Sequence, residues 1–267
     1  MELMLKVKNL SFHYNKGREI LSDVSFELHK NDVSCLLGSN GTGKTTLLRC
    51  LLALNKTTKG IIKINGQDIS KESPKKRAKY MAYVPQASTM AFPYLAKEVV
   101  LMGRIAHLGP GASPNNRDHK VCREVLENLG IYHLAEKVFN QMSGGERQMF
   151  LVARAMVQQA QILVMDEPTA NLDYSNQVKI LQIIKQLSEE GYSILMTSHF
   201  PDHAFLSCNK VMLMKGGKII EIGKPEDAVT TQNLSNLYDT RVCVADVELC
   251  QEDITTKVCV PIMKKAK

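Results

Sequence analysis

The sequence predicts an α/β fold with a mostly parallel sheet, and three observations carry that expectation. Short apolar runs alternate with helical patterns along the 267 residues, with no low-complexity linker between them. Four of these runs, "VSCLLG" (33–38), "MAYVPQ" (81–86), "ILVMDE" (162–167) and "SILMTSH" (193–199), stay largely apolar until their last residues. The first passes through a glycine loop, "GSNGTGKTT" (38–46), straight into the helical pattern "KTTLLRCLLAL".

The glycine loop is the most specific signal. Gly38, Gly41 and Gly43 let the backbone curl so that the N–H groups around Ser39, Asn40, Thr42 and Thr46 face phosphate oxygens, and the positive end of the following helix faces the same anion. In a G-x-x-x-x-G-K-[ST] loop Lys44 reaches the β- and γ-phosphates and the Thr45 hydroxyl ligates Mg²⁺. The basic run "KESPKKRAK" (71–79) comes next and reads as a solvated helix face. Strand 81–86 then ends at Gln86. The stretch 87–160 reads helical, in "PYLAKEVVLMGR", "RDHKVCREVLENLG" and "ERQMFLVARAMVQ". Within it "MSGGER" (142–147) reads first as a helix start, with Ser143 as N-cap and Glu146 completing a capping box.

Strand 162–167 ends at Asp166 and Glu167, and strand 193–199 at Ser198 and His199. Ligands of an open parallel sheet bind beyond the carboxyl ends of its strands, so Gln86, Asp166, Glu167 and His199 are expected around one place. An unpaired Asp166 at the end of a buried strand is costly, and a metal ion relieves that cost. Glu167 beside it suits the task of holding and polarising an attacking water. A lone strand-end histidine is often structural, but three such neighbours point His199 at the γ-phosphate. Two "VCV" triplets near the end, 242–244 and 258–260, read as short strands.

Composition sets bounds. Seven cysteines, at 35, 50, 122, 208, 243, 250 and 259, include no CxxC pair, which argues for reduced thiols rather than a disulfide frame or a zinc site. The net charge is +7, but basic residues are spread along the chain and cluster only at 71–79 and in the terminal "KKAK", so no nucleic-acid partner is expected. A frayed tail accounts for the second cluster; weak attraction to an anionic membrane surface is the alternative for both. No run approaches the ~18–20 apolar residues of a membrane span, and the N-terminus carries no secretory signal, so the expected location is the cytoplasm unless a partner holds the chain elsewhere.

Taken in order, these residues resemble the ATP-binding subunit of ABC transporters over nearly all of residues 1–240. "GSNGTGKT" resembles the Walker A loop, Gln86 the Q-loop, "MSGGE" the signature motif, "ILVMDE" the Walker B strand, "ANLD" (170–173) the D-loop and His199 the switch histidine. Met142 stands for the usual leucine, and Glu146 stands where many members have glutamine. The resemblance implies a P-loop ATPase fold with an N-terminal antiparallel β region and an inserted helical subdomain at about 87–160. It also implies ATP and Mg²⁺ as ligands, the ion held by Thr45, Gln86 and Asp166, and Tyr14 stacked on adenine.

Within the helical subdomain, "VVLMGRIAHLG" (99–109) is similar to a GR-x-P-H stretch of subunits serving iron-siderophore, haem and cobalamin uptake, with Ala106 in place of the proline. Arg104 and His107 there also admit a plain solvated reading. Residues 241–267 resemble the short β-rich extension of uptake subunits.

The mechanism so implied places two copies head to tail. Ser143, Gly144 and Gly145 of one cover the γ-phosphate held by Lys44 of the other, and Asp173 crosses the interface. Membrane permease subunits dock on the helical subdomain, an extracytoplasmic binding protein acts indirectly, and the ATPase sits on the cytoplasmic face of the cell membrane. The expected function is an importer ATPase for a metal chelate. The alternatives are a soluble ABC ATPase in cofactor assembly, or an importer of another substrate such as a free metal ion or oxyanion. A small-molecule kinase would leave "MSGGE" without a role.

Overall fold

The fold is that of a computed structural model describing residues 2–14, 17, 19–86, 90–109, 111–249 and 254–263. Two sheets form its frame. Strands β1 (Leu3–His13), β2 (Glu19–His29), β4 (Lys59–Ile64) and β5 (Gln67–Asp68) make an antiparallel sheet in the order β2-β1-β4-β5. The second sheet has β3 (Val33–Leu37), β6 (Met81–Val84), β7 (Ile162–Met165) and β8 (Ser193–Ser198), with β9 (Lys210–Lys215) and β10 (Lys218–Gly223), in the order β10-β9-β3-β8-β7-β6. All but the β9–β10 pairing are parallel. The four strands picked out by their polar ends are therefore β6, β7, β8 and β3, lying as consecutive neighbours.

Strand alternation divides the interior into two cores. Leu37, Val84, Met165, Met196 and Leu213 face one, while Leu36, Met81, Val164, Leu195 and Met212 face the other. The second is shared with the antiparallel sheet and with α1 (Lys44–Leu51). The first lies under the helices α3 (Ala96–Leu101), α4 (Asn116–Asn128), α5 (Gly144–Met156) and α6 (Tyr174–Glu189). Burial on both faces is why these strands read as near-continuous apolar runs.

Two basic residues depart from the solvated readings, for one physical reason. In the short helix α2 (Pro74–Arg77), Arg77 is 2 % exposed. Its guanidinium donates to Cys50 O (2.9 Å) and Leu51 O (2.6 Å) at the end of α1, and to Ser70 O (2.7 Å). The reading of 71–79 as a solvated face is corrected at this residue: Arg77 caps the carbonyl end of α1. Arg104, in the 3₁₀ turn Met102–His107, is 5 % exposed and bonds Asp118 Oδ1 (2.8 Å) on α4, Val157 O (2.7 Å) and Gln159 Oε1 (2.9 Å) past α5. His107 Nε2 lies 2.7 Å from Gln158 O. Both side chains fasten the turn to the end of α5; Arg104 does so buried, while His107 stays exposed, so the solvated reading is corrected at Arg104 alone. A Cβ at Gly103 would stand 2.1 Å from Arg154 O, so that close approach requires glycine.

After β8, α7 (Asp202–Ser207), α8 (Pro225–Ala228) and α9 (Thr231–Tyr238) lead to a hairpin of β11 (Val242–Leu249) and β12 (Ile254–Pro261). The two "VCV" triplets pair across it, Cys243 with Val260 and Val244 with Cys259. Cys250 and the terminal "KKAK" lie outside the described residues. Among those residues no disulfide forms, no acid, histidine and cysteine cluster is arranged to hold a metal, and no helix is long and apolar enough to cross a membrane.

Candidate functional site

The loop after β3 is shaped by its glycines. A Cβ on Gly38 would come within 2.5 Å of Met214 O, and Gly41 and Gly43 sit at φ +79° and +105°, where side chains strain the backbone. Gly43 is the N-cap of α1. Buried Lys44 folds back along the loop, donating from Nζ to Gly38 O (2.6 Å) and Ser39 O (3.2 Å). Thr42 Oγ1 closes the turn on Ser39 O at 2.9 Å. A cleft of about 280 Å³ opens over the loop, lined by Tyr14, Asn40, Gly41, Gly43, Lys44, Thr45, Thr46 and Glu167, with Ile20 at its edge. Tyr14 is half exposed, stands edge-on to Phe12 with centroids 4.7 Å apart, and accepts a bond from Asn55 Nδ2 at 3.1 Å.

The two acids meet the loop from the end of β7. Asp166 is 5 % exposed and accepts from Thr197 Oγ1 (2.8 Å), Thr45 Oγ1 (3.2 Å) and the Tyr83 hydroxyl (3.4 Å). Burial, then the neighbouring carboxylate, push the Tyr83 phenol up to about 12, so it keeps the proton it donates. Glu167 adopts φ +47°, a left-handed conformation that a glutamate holds only against strain. Thr197 holds it there, accepting the Glu167 N–H at 2.8 Å while donating to Asp166. In this posture one Glu167 oxygen lies 3.5 Å from Lys44 Nζ and the other 3.3 Å from His199 Nδ1. Gln86 is exposed two residues beyond Val84, whose carbonyl accepts the Asp166 N–H at 2.9 Å.

Two supporting residues escaped the sequence reading. Thr197 looked like an ordinary strand residue. His203, four positions after His199, is 6 % exposed, and its Nδ1 lies 3.3 Å from Thr169 Oγ1 and 3.2 Å from Ser198 Oγ. Burial brings its imidazole down to about 4, so the neutral ring ties the segment after β7 to the end of β8. The second histidine in "SHFPDHAF" was the available signal.

Ser143 and its neighbours form a second cluster that does not line the cleft. Ser143 Oγ accepts from Glu146 N (3.2 Å) and Glu146 Oε2 accepts from Ser143 N (2.8 Å), the capping box expected at the start of α5. That backbone bond first, and then Lys137 at 3.0 Å, hold the Glu146 carboxyl below its usual range. The loop rests on the segment before α6. A Cβ on Gly144 would stand 3.5 Å from Leu172, and one on Gly145 would strike Asn176 at 2.5 Å. Asn176 is itself bound by Asp173, the N-cap of α6, through both carboxylate oxygens at 2.8 Å.

A family model described as ABC transporter matches residues 21–170. An iron chelatin transport ATP-binding protein assigned in Helicobacter pylori is 39% identical over 240 residues, covering 89% of this chain and 94% of that one. A molybdate import ATP-binding protein of Haemophilus influenzae is 31% identical over 239 residues, 89% of each. Among solved structures, an inward-facing ABC transporter assigned to the metal-chelate type superposes with a TM-score of 0.87 at 29% identity, covering 98% of both chains.

Proposed function

The chain belongs to the ABC transporter family as one of its ATP-hydrolysing subunits, and we propose that it energises uptake of a metal chelate, of iron-siderophore, haem or cobalamin type, through a membrane permease. One observation carries the catalytic part of this reading. Lys44, Asp166, Glu167 and His199 gather at one cleft, while the capped start of α5 lies apart from it on the same chain. A cleft and a separate anion site on one molecule call for a second copy to complete each other.

In the proposed arrangement Tyr14 stacks on adenine, and the backbone of Gly38–Thr46 with the Lys44 ammonium binds the phosphates. Thr45, Gln86 and Asp166 would hold Mg²⁺. The fit is chemical: Thr45 and Asp166 present hard oxygen donors hydrogen-bonded to one another, as that ion prefers, and the bound ion would neutralise phosphate charge. Glu167 takes the proton of a water whose oxygen attacks the γ-phosphorus, and ADP leaves with the electrons of the broken bond. His199 contacts the γ-phosphate from the other side of Glu167. Ser143, Gly144, Gly145 and Glu146 of the second copy cover the same phosphate, with Asp173 at the interface.

We propose residues 1–240 as the ATPase domain, 241–267 as an extension, and the helical subdomain at about 87–160 as the docking face for the permease. That docking would hold the chain at the cytoplasmic face of the membrane, with the extracytoplasmic binding protein reached through the permease. The metal-chelate class is supported by the Helicobacter relative and the solved transporter. The molybdate relative favours an oxyanion as the second reading.

The test is Glu167→Gln. The variant should bind ATP as the parent does, accumulate as an ATP-bound dimer, and lose hydrolysis by a factor of ~10² or more; rapid hydrolysis by it would overturn the assignment. The cargo is tested by co-purifying the chain with its permease and comparing ferric chelates, haem, cobalamin and molybdate for stimulation of ATPase activity.

A further inference from the structure

The loop 199–201 joins β8 to Asp202, the first residue of α7, and carries His199, whose imidazole is about one-third exposed. Its inner end is fixed by Ser198, whose hydroxyl accepts the Phe200 N–H at 3.0 Å. Its outer side is held by two groups from the far end of the chain. The Tyr238 hydroxyl, on the last residue of α9, donates to His199 O at 3.2 Å. The Cys259 N–H, in β12, donates to Asp202 Oδ1 at 2.8 Å.

These two anchors are mechanically linked. Strand β11 grips α9 through Val244 N to Thr231 Oγ1 (2.9 Å) and through Val242 N and O to Ser235 Oγ (3.1 and 3.3 Å). The hairpin therefore reaches the loop by β12 directly and by β11 through α9. Tyr238 is partly buried, and burial pushes its phenol far up, so the hydroxyl keeps its proton and can only serve as donor to a carbonyl.

We infer that Tyr238, braced by the C-terminal hairpin, is a positioning residue for His199: it fixes the loop backbone so that the imidazole stays beside Glu167. The inference rests on the proposed contact of His199 with the γ-phosphate. It gives the extension a task in catalysis, since its strands reach the His199 loop through Cys259 on Asp202 and, by way of α9, through Tyr238 on His199.

The test uses the full chain and two variants, the conservative Tyr238→Phe and the side-chain truncation Asp202→Ala. Each removes one anchor, so kcat should fall about threefold to tenfold, the worth of one hydrogen bond. The dissociation constant for ATP and KM should stay within about twofold, because the loop backbone and not the phosphate loop has been released. Inhibition by orthovanadate with MgADP, which samples the γ-phosphate position during turnover, should weaken by the same factor as kcat. Unchanged kcat and vanadate inhibition in both variants overturn the inference. So does a fall in ATP affinity and melting temperature that matches the loss of kcat, which marks a general structural defect. His199→Ala should abolish turnover; parental kcat in that variant instead overturns the role given to His199.

Discussion

Arg77→Met should destabilise the chain strongly, although it sits in the most basic run of the sequence. Methionine keeps a buried aliphatic stem and deletes the guanidinium. Three bonds are lost, to Cys50 O, Leu51 O and Ser70 O, at 2.6–2.9 Å. Cys50 O retains the Ala53 N–H at 3.2 Å, so the loss there is partial. At about 1 kcal/mol net per bond, with charge assistance raising it and retained bonds lowering it, the total is about 3–4 kcal/mol. For a chain of this size each kcal/mol moves the midpoint by about 2–4 °C, which puts the expected fall in Tm near 10 °C.

The assay is thermal unfolding followed by circular dichroism without nucleotide, with Lys76→Met as the control. Lys76 is exposed and pairs with Glu72 at 2.8 Å, a contact screened by water, so its loss should shift Tm by less than about 2 °C. An Arg77→Met protein melting within about 2 °C of the parent, or no lower than the Lys76 variant, would refute the role of Arg77 as the clamp on α1.

Three further outcomes follow from the geometry. Gly103→Ala forces a Cβ against Arg154 O and should cost about 2 kcal/mol or more in Tm measurements, whereas Gly109→Ala, with open space around it, should be neutral. His203 has its pKa lowered in the folded chain to about 4 from 6.5, so the unfolded chain binds more protons between those values. The stability it contributes is full above pH 6.5 and falls as pH drops through that window, by about 2 kcal/mol at pH 5. Urea unfolding at pH 7 and pH 5 should show this loss, and His203→Gln should flatten it; equal slopes for both proteins would count against the buried neutral ring. Ser143→Asp retains a good N-cap while placing a carboxylate where the second copy's phosphate is proposed to bind, so Tm should stay within about 3 °C while hydrolysis falls at least tenfold. Parental hydrolysis by this variant would confine Ser143 to capping.

The residues that the sequence made legible share a property: their environment is set by their own strand or turn. Leu36, Val164 and Leu195 are buried on a sheet covered from both sides, and the runs around them announce it. Gly41 and Gly43 sit at positive φ within a loop whose chemistry is local. The convergence of Asp166, Glu167 and His199 followed from one topological rule about strand ends. What stayed hidden depends on partners distant in sequence. Arg77 is buried because α1 ends 26 positions earlier with carbonyls to satisfy, and Arg104 because Val157, just past α5, offers its carbonyl 53 positions later. Residues 93–104 read as one helix, but α-helix covers only Ala96–Leu101, and the 3₁₀ turn that follows brings Gly103 against Arg154. Thr197 is apolar by position and decisive by its hydroxyl, which no periodicity reveals.

The two clusters, although apart, are joined by very little chain. Segment 166–173 begins with the two acids of the cleft and ends with Asp173, whose carboxylate fixes Asn176 against Gly145. Its start is held by Thr197 and its middle by Thr169 on His203. Glu167 occupies a strained backbone conformation at one end of it. Segment 166–173 is thus the short covalent link between Glu167 and the residues packed against the start of α5, the surface proposed to close on a second copy. That placement also explains why Gly145 has no side chain. The start of α5 lies so close to Asn176 that a single methyl group on Gly145 would stand 2.5 Å from that side chain.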